Sequence, residues 1–375
     1  MTFNIEDLRT SDLERADHPR LKAAARTIQE LRPDILLVNE MTYDVRGVPG
    51  FSDADGPGQN ARRFVQRFLA VSQGSGLEPL TYNTFSPATN TGVSSGLDLN
   101  NDGAVATSFP LPDPSDSDGS APSQTAAQRA YGNDSWGFGT FPGQYAMALF
   151  VAPHLSIVRD SIRMFQLFRW ADMPGALRPM NADSLTSWYS DAEWSAMRLS
   201  SKNHVDVPVR LPDGRILHVL ASHPTPPAFD GPERRNKLRN HDEIRFWIDY
   251  VADREYFVDD SGRAGGLATG ASFVIVGDLN ADPDEGSSHG NPARKLLDAP
   301  AVSGDFVPTA TEAGISAFPE LDPDDTAEWG LRIDYVLPSR DLTVLDGGVR
   351  RPLSSEERAS DHFPVWLDLQ IPVNQ

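Results

Sequence analysis

Several short apolar runs in this chain end on a charged or amide side chain, and no other feature limits its fold as strongly. Phe273-Val274-Ile275-Val276 is rich in β-branched residues and reads as an inner strand. It passes through Gly277 into Asp278 and Asn280 and stops at the Asp282-Pro283 turn. Period-2 geometry predicts Asp278 and Asn280 on one side of the chain. The same shape recurs. "TFNIEDL" (2–8) sets Asn4 and Glu6 two residues apart, "ILLVNE" (35–40) ends in Glu40, and "LHVLASHP" (217–224) reaches His223. "RIDYVLPS" (332–339) places Asp334 between Ile333 and Tyr335, and "ASDHFPVWLDL" (359–369) opens with Asp361-His362. Strands that deliver such groups at their ends suit an α/β protein with its chemistry at one sheet edge.

Taken singly, each residue has a plain structural use. Asn4 serves as a strand-end cap, Glu40 as a solvated strand end, and His223 or His362 as a satisfied core histidine. Asp278 and Asn280 serve as a turn whose side chains bond their own backbone. Asp334 is different, because a carboxylate inside an apolar strand is expensive to bury without a partner. A histidine is the expected partner.

Between these strands, Pro19 to Arg32 reads as a helix, with Leu21, Ala24, Ala25, Ile28 and Leu31 at helical spacing. Asn60 to Ser72 reads as a second amphipathic helix, and Ser190-Asp191-Ala192-Glu193 as a capping box opening a short one. Val205 to Arg210 and Ile216 to Ser222 form a predicted hairpin over Pro212-Asp213-Gly214. Glu233 to Val251 reads as a long polar helix. Residues 84–140 lose all periodicity, a length that predicts a functional or lid-like insertion. Alternating strands and helices with antiparallel pairs mixed in predict one α/β sandwich rather than two domains.

Composition excludes several chemistries. With no cysteine among 375 residues there is no thiol catalysis, disulfide or thiolate metal site. No apolar run is long enough to span a membrane. A net charge of −20 argues against gripping nucleic-acid backbone through a basic face. The first strand begins directly after Met1, so a removed leader is an expectation. An extracellular or periplasmic location goes with it, and a cytoplasmic one stays open.

Together the polar strand ends make an ordered set. The series Asn4, Glu40, His223, "GDLN" (277–280), "RIDY" (332–335) and "SDHFPV" (360–365) resembles the endonuclease/exonuclease/phosphatase superfamily. That superfamily includes deoxyribonuclease-like metal-dependent phosphoesterases. The resemblance runs from Asn4 to His362, and "GDLN" and "SDHFPV" are its specific motifs. "PGQYAMALF" (142–150) and "SHPTPPAFDGPE" (222–233) look like a bacterial branch of it, with Ala146 where many relatives carry Gly.

The resemblance implies a four-layer α/β sandwich: two mixed β-sheets packed face to face, with helices on both outer faces. It implies a single domain over residues 1–375 with the insertion at about 84–140. Hydrolysis of an anionic ester needs a hard divalent cation, Mg²⁺ or else Mn²⁺ or Ca²⁺, held by carboxylates. Glu40 is then the first metal ligand, with Asp361 and Glu6 beside it. Asp278 orients or deprotonates the attacking water, and Asn4 and Asn280 hold phosphate oxygens or position Asp278. His362, paired with Asp334, is an imidazolium that stabilises developing charge. His223 contacts phosphate or protonates the leaving group.

Two weaker features stand outside that set. "DLNNDG" (98–103) fits the first half of a calcium loop through Asp98, Asn100 and Asp102. Phe109 stands where an EF-hand would carry its glutamate, which leaves a non-EF-hand structural Ca²⁺ loop or an Asx-rich turn. Arg234, Arg235, Arg239, Lys202 and His204 either face a substrate phosphate or pair with acids such as Asp242 and Glu243 on a solvated helix. The leading expectation is a phosphoesterase (phosphodiesterase or phosphatase) favouring small phosphoesters. A secreted nuclease acting on DNA or RNA and a non-catalytic calcium-binding surface module are the alternatives.

Overall fold

A computed structural model describes residues 1–48, 50–54, 56–110, 124–183 and 185–372, and in it the apolar runs form two mixed sheets of six strands each. One sheet contains β1 (Thr2–Leu8), β2 (Ile35–Met41), β3 (Asn83–Phe85), β4 (Met147–Val151), β11 (Thr343–Val349) and β12 (Val365–Gln370). The other contains β5 (Ser156–Ile157), β6 (Arg163–Met164), β7 (His204–Arg210), β8 (Ile216–Ser222), β9 (Phe273–Asp278) and β10 (Asp334–Pro338). Their orders are β11-β12-β1-β2-β4-β3 and β10-β9-β8-β7-β5, with β6 added to β7. The β1–β2 and β8–β9 pairs are parallel and lie in the middle of the sheets, as their apolar runs predict.

Side-chain alternation builds the layers. Leu37, Val207, Val219, Val274, Val276 and Val336 share one core between the sheets. Their neighbours of opposite parity face the outer helices. Phe3, Ile5, Leu36 and Val38 pack under the helix α1 (Pro19–Leu31) and α2 (Asn60–Phe64). Phe273, Ile275, Tyr335 and Leu337 pack with Phe246, Trp247 and Tyr250 of a long helix, Arg235–Val251. The result is helix, sheet, sheet, helix, which is the expected four-layer sandwich.

The helix at 19–32 starts on Pro19 and stops where Arg32 turns left-handed at φ 49°. The second helix is shorter than its periodicity predicts, because after Phe64 the chain widens into a π-helical turn over Val65–Leu69. The capping box at Ser190 and Glu193 is present.

The described part of the 84–140 segment is not wholly irregular. A capped helix, α3 (Ala126–Asn133), lies within it, after the Thr125–Gln128 capping box. Its Asp134 is buried and accepts the Leu99 and Ala106 N–H groups at 3.1 and 2.8 Å. Polar bonds between residues 28 and 35 positions apart replace periodicity here, which is why no pattern announces the fold. Among the described residues no helix is long and apolar enough to cross a membrane.

Candidate active site

The inner columns of the sandwich change from apolar to polar at one end. In β9 the column Val274–Val276 continues into Asp278, and in β10 Val336 is followed on the same side by Asp334. Register sets these two carboxylates directly opposite each other. In β1 and β2, Asn4 and Asn39 have the parity opposite to Phe3, Ile5 and Val38, so they too face the other sheet. His223 follows Ala221 in the same way off the end of β8.

Glu40 has the wrong parity for this site. Strict alternation would put it on the side of Leu36 and Val38, toward α1 and α2. A left-handed backbone at Glu40, φ 64°, breaks the alternation. A non-glycine residue held there costs about 1–3 kcal/mol and needs surrounding contacts to maintain it. Those contacts are Asn4 Nδ2, which donates to Glu40 Oε1 at 3.1 Å, and the Asp7 N–H, which donates to Oε2 at 2.9 Å. Asp7 is held in turn by Gln144, whose Nε2 reaches both carboxylate oxygens at 3.1 and 3.0 Å.

Asn4 Nδ2 also donates to Asp278 Oδ2, at 3.0 Å. Both hydrogens of one amide therefore clamp Glu40 and Asp278 at fixed separation. Both Asn4 side-chain N–H groups are thus taken up by carboxylates. The Asn280 backbone N–H donates to Asp278 Oδ1 at 2.9 Å, and its side-chain Nδ2 donates to the Pro224 carbonyl at 3.1 Å. Asn280 is left-handed at φ 53°, so the expected shared side with Asp278 is not what brings it to the site. The backbone turn does.

His362 closes the other flank. Its Nδ1 lies 2.8 Å from Asp334 Oδ2, which also accepts the Thr326 hydroxyl at 2.9 Å. Its Nε2 lies 3.8 Å from Asp278 Oδ2, and His223 Nε2 lies 3.4 Å from the same oxygen. Burial pushes the Asp278 carboxyl up, and the opposed Asp334 adds to it, to about 7. Burial pushes His362 down, but Asp334 and Asp278 outweigh it and hold the imidazolium to about 10. Burial drives His223 well down, with the Lys202 and His362 charges adding to it, so His223 is a neutral imidazole.

Of the five basic residues set near His223 by sequence, only Lys202 meets the site. It is buried, donates weakly to the Pro224 carbonyl at 3.4 Å, and feels the charges of Glu243, Glu40 and Asp278. Arg235 and Arg239 are turned to loop carbonyls, those of Leu99 and of Leu199, Arg198 and Trp136. His204 lies between Ser200 and the Glu243 carbonyl, at 2.9 and 2.8 Å. Arg234 is exposed. The helix carrying Asp242 and Glu243 is not solvated on that face: both residues are fully buried.

Glu243 was missed as a site-building residue. Its two oxygens accept the Ser201 and Thr225 N–H groups, each at 2.6 Å, which holds the loops carrying Lys202 and His223. The available signal was Arg239, Glu243 and Trp247 at i, i+4 and i+8, a face too aromatic for a solvated helix.

Glu40, His223 and Asp278 form one group of ligand atoms lying within 4.8 Å of each other, and Asp278, Asp334 and His362 form another. Glu6 and Asp361 belong to neither. They stand one step outside, near enough that, after burial, the Asp361 and Glu40 charges raise Glu6. Glu6 is also not aligned with Asn4 as period 2 predicts, because Glu6 and Asp7 are left-handed at φ 50° and 42° and the β1–β2 register shifts there. The Asp98–Gly103 loop lies apart: Asp98 accepts the Asp102 and Gly103 N–H groups, and Asn100 and Asp102 bond each other at 3.0 Å.

Comparison with known proteins agrees with this architecture. A family model described as Endonuclease/Exonuclease/phosphatase family matches residues 1–362. Among solved structures, a family protein from Leptotrichia buccalis C-1013-b is 13% identical, with 99% of this chain and 98% of that one covered and a TM-score of 0.50. An endonuclease/exonuclease/phosphatase from Beutenbergia cavernae DSM 12333 is 18% identical over 99% of this chain and 70% of that one, with a TM-score of 0.49. At 13% identity the likeness to the Leptotrichia protein is one of fold. A search of curated protein sequences found no match.

Proposed function

The chain belongs to the endonuclease/exonuclease/phosphatase family, and from that premise we propose that it hydrolyses small phosphoesters with a divalent cation. The observation that carries this reading is the Asn4 amide held between Glu40 and Asp278 at 3.1 and 3.0 Å. It keeps one carboxylate for a cation and another for water at a set spacing.

The donors present fit a hard cation. Glu40 supplies carboxylate oxygen, the donor type such an ion takes, within 4.8 Å of ligand atoms on His223 and Asp278. Glu40 would hold the ion, with Glu6 and Asp361 next to it. When bound, the ion neutralises charge on the phosphate and on the leaving oxygen.

The chain's own residues do the rest. Asp278, oriented by Asn4 and by the Asn280 N–H, takes a proton from the attacking water, and a raised pKa makes it a base suited to neutral pH. His362 presents a positive imidazole to the developing charge, and Asp334 fixes its orientation. Lys202 lies buried on the loop beside His223, where burial lowers its pKa and the Glu243, Glu40 and Asp278 charges oppose that shift.

Preference for a small ester rests on charge. Duplex DNA requires several phosphates met by Lys or Arg, while this chain has 33 basic residues against 53 acidic ones. Arg235 and Arg239 are engaged by carbonyls. Three of the six acids in the 84–140 insertion lie within the described residues. Asp134 is buried, Asp98 and Asp102 bond their own loop, and Asp113, Asp116 and Asp118 lie outside the described residues.

The test is turnover of bis-p-nitrophenyl phosphate, p-nitrophenyl phosphate and plasmid, each with Mg²⁺, Mn²⁺, Ca²⁺ or EDTA. Metal-dependent cleavage of a small ester is expected. Full activity in EDTA, or faster cleavage of plasmid per phosphodiester bond at near-physiological salt, would overturn it. Glu40→Gln should raise the metal concentration needed for half-maximal rate by about tenfold or more, because a neutral amide is a poor ligand for a hard cation. Excess metal should then restore part of the rate, and an unchanged metal titration would remove Glu40 from the site.

A further inference from the structure

Trp329 stands beside the site with 50% of its surface exposed, and its indole meets the imidazole of His362 at 5.1 Å with ring planes at 87°. The turn carrying it is pinned from several directions. Ala327 bridges to both Leu331 and His362, and the Glu328 N–H donates to the Asp361 carbonyl at 2.9 Å. Gly330 closes the turn in the left-handed region, φ 76°, and donates its N–H to the Ala327 carbonyl at 3.1 Å. Thr326, at the base of the turn, is bonded to Asp334.

A tryptophan usually contributes through burial, so a half-exposed one on a rigid turn is a weak use of the residue for stability. Contact with His362 accounts for only part of its surface. The exposed half of the side chain lies next to the imidazole assigned to the reacting phosphoester. Pinning removes the ordering cost that a mobile side chain would meet on binding a ligand.

Building on the phosphoesterase reading, we propose that Trp329 is a ring subsite: it stacks a planar aromatic ring carried by the phosphoester. A nucleobase and an aryl ester share that chemistry. Stacking one ring on an aromatic side chain gives about 5- to 150-fold in affinity. The subsite therefore favours ring-bearing phosphoesters over those carrying only a sugar or alkyl group.

Calorimetry on the full chain with Mg²⁺, in an Asp278→Asn background that suppresses turnover, tests this. The probes are adenosine 5′-monophosphate, phenyl phosphate and ribose 5-phosphate. At least one ring-bearing probe should bind 5-fold or more tighter than ribose 5-phosphate, and which one does identifies the ring class. Adding Trp329→Ala should bring the ratio near one with ribose 5-phosphate unchanged, and Trp329→Phe should keep most of the preference. Equal binding of all three probes, or a ratio that survives Trp329→Ala, would overturn the subsite while leaving the phosphoesterase reading intact. A Trp329→Ala enzyme with wild-type Asp278 whose kcat falls equally on every substrate at unchanged KM would also overturn it, because the indole would then only support His362. Absence of binding by all three at saturating Mg²⁺, together with no turnover of either p-nitrophenyl ester by the enzyme with wild-type Asp278, would remove both readings.

Discussion

Asp278→Asn is expected to lower kcat by about 10²–10⁴-fold, the usual scale for a general base. The side chains are nearly the same size, so the fold should survive, and far-UV circular dichroism checks that. The chemistry should not. Asp278 accepts from Asn4 Nδ2 at 3.0 Å and from the Asn280 N–H at 2.9 Å. An amide has a single acceptor oxygen, so one of those donors would face an NH₂ group instead. If the displaced donor is Asn4, its hold on Glu40 loosens as well, and the metal requirement should rise alongside the loss of rate. A variant retaining more than half of wild-type activity would make Asp278 a turn residue with no part in turnover.

The second large effect concerns Asp334 and His362. Asp334 is 1% exposed, and its oxygen toward His362 is shared only with Thr326. Leaving either partner buried alone is costly. Asp334→Asn and His362→Ala should each lower kcat/KM by about 10²-fold or more, with the double variant little worse than the weaker single one. Losses that multiply independently in the double-mutant cycle would show that the two do not act as a unit.

A pH profile separates the roles within that pair. The imidazolium is favoured below its pKa of about 10, which Asp334 and Asp278 sustain against burial. Its contribution is present at low pH and is lost as pH rises through that value. Removing the Asp334 charge lowers the pKa, so the alkaline fall in rate should move toward neutral pH in Asp334→Asn. An alkaline limb unchanged from wild type would mean that the charge on His362 does not enter the rate.

How far the site could be read in advance divides along physical lines. Period 2 with apolar parity is a local property, so the columns Val274–Val276–Asp278 and Val336–Asp334 were legible from residue order. The demand of Asp334 for a histidine was legible too, because the cost of burying an unpaired carboxylate holds in any fold. The helix at Pro19 announced itself through its proline start and apolar spacing, and the two-sheet architecture through the motif order.

Other features depend on contacts made far along the chain. Glu40 and Asn280 reach the site through left-handed backbones that strand periodicity forbids, and partners from distant elements sustain them. The bond from Asn4 to Asp278 spans 274 residues. The polar run on the long helix reads as solvated until the loops that cover Arg239 and Glu243 are in place, and the described part of 84–140 folds through side-chain bonds to its own backbone. Parity and burial cost belong to the sequence because they act within a few residues. The sign of φ at Glu40, the choice of Lys202 over its basic neighbours, and the seating of Trp329 against His362 belong to the tertiary structure, because each is stabilised only by groups that folding brings together.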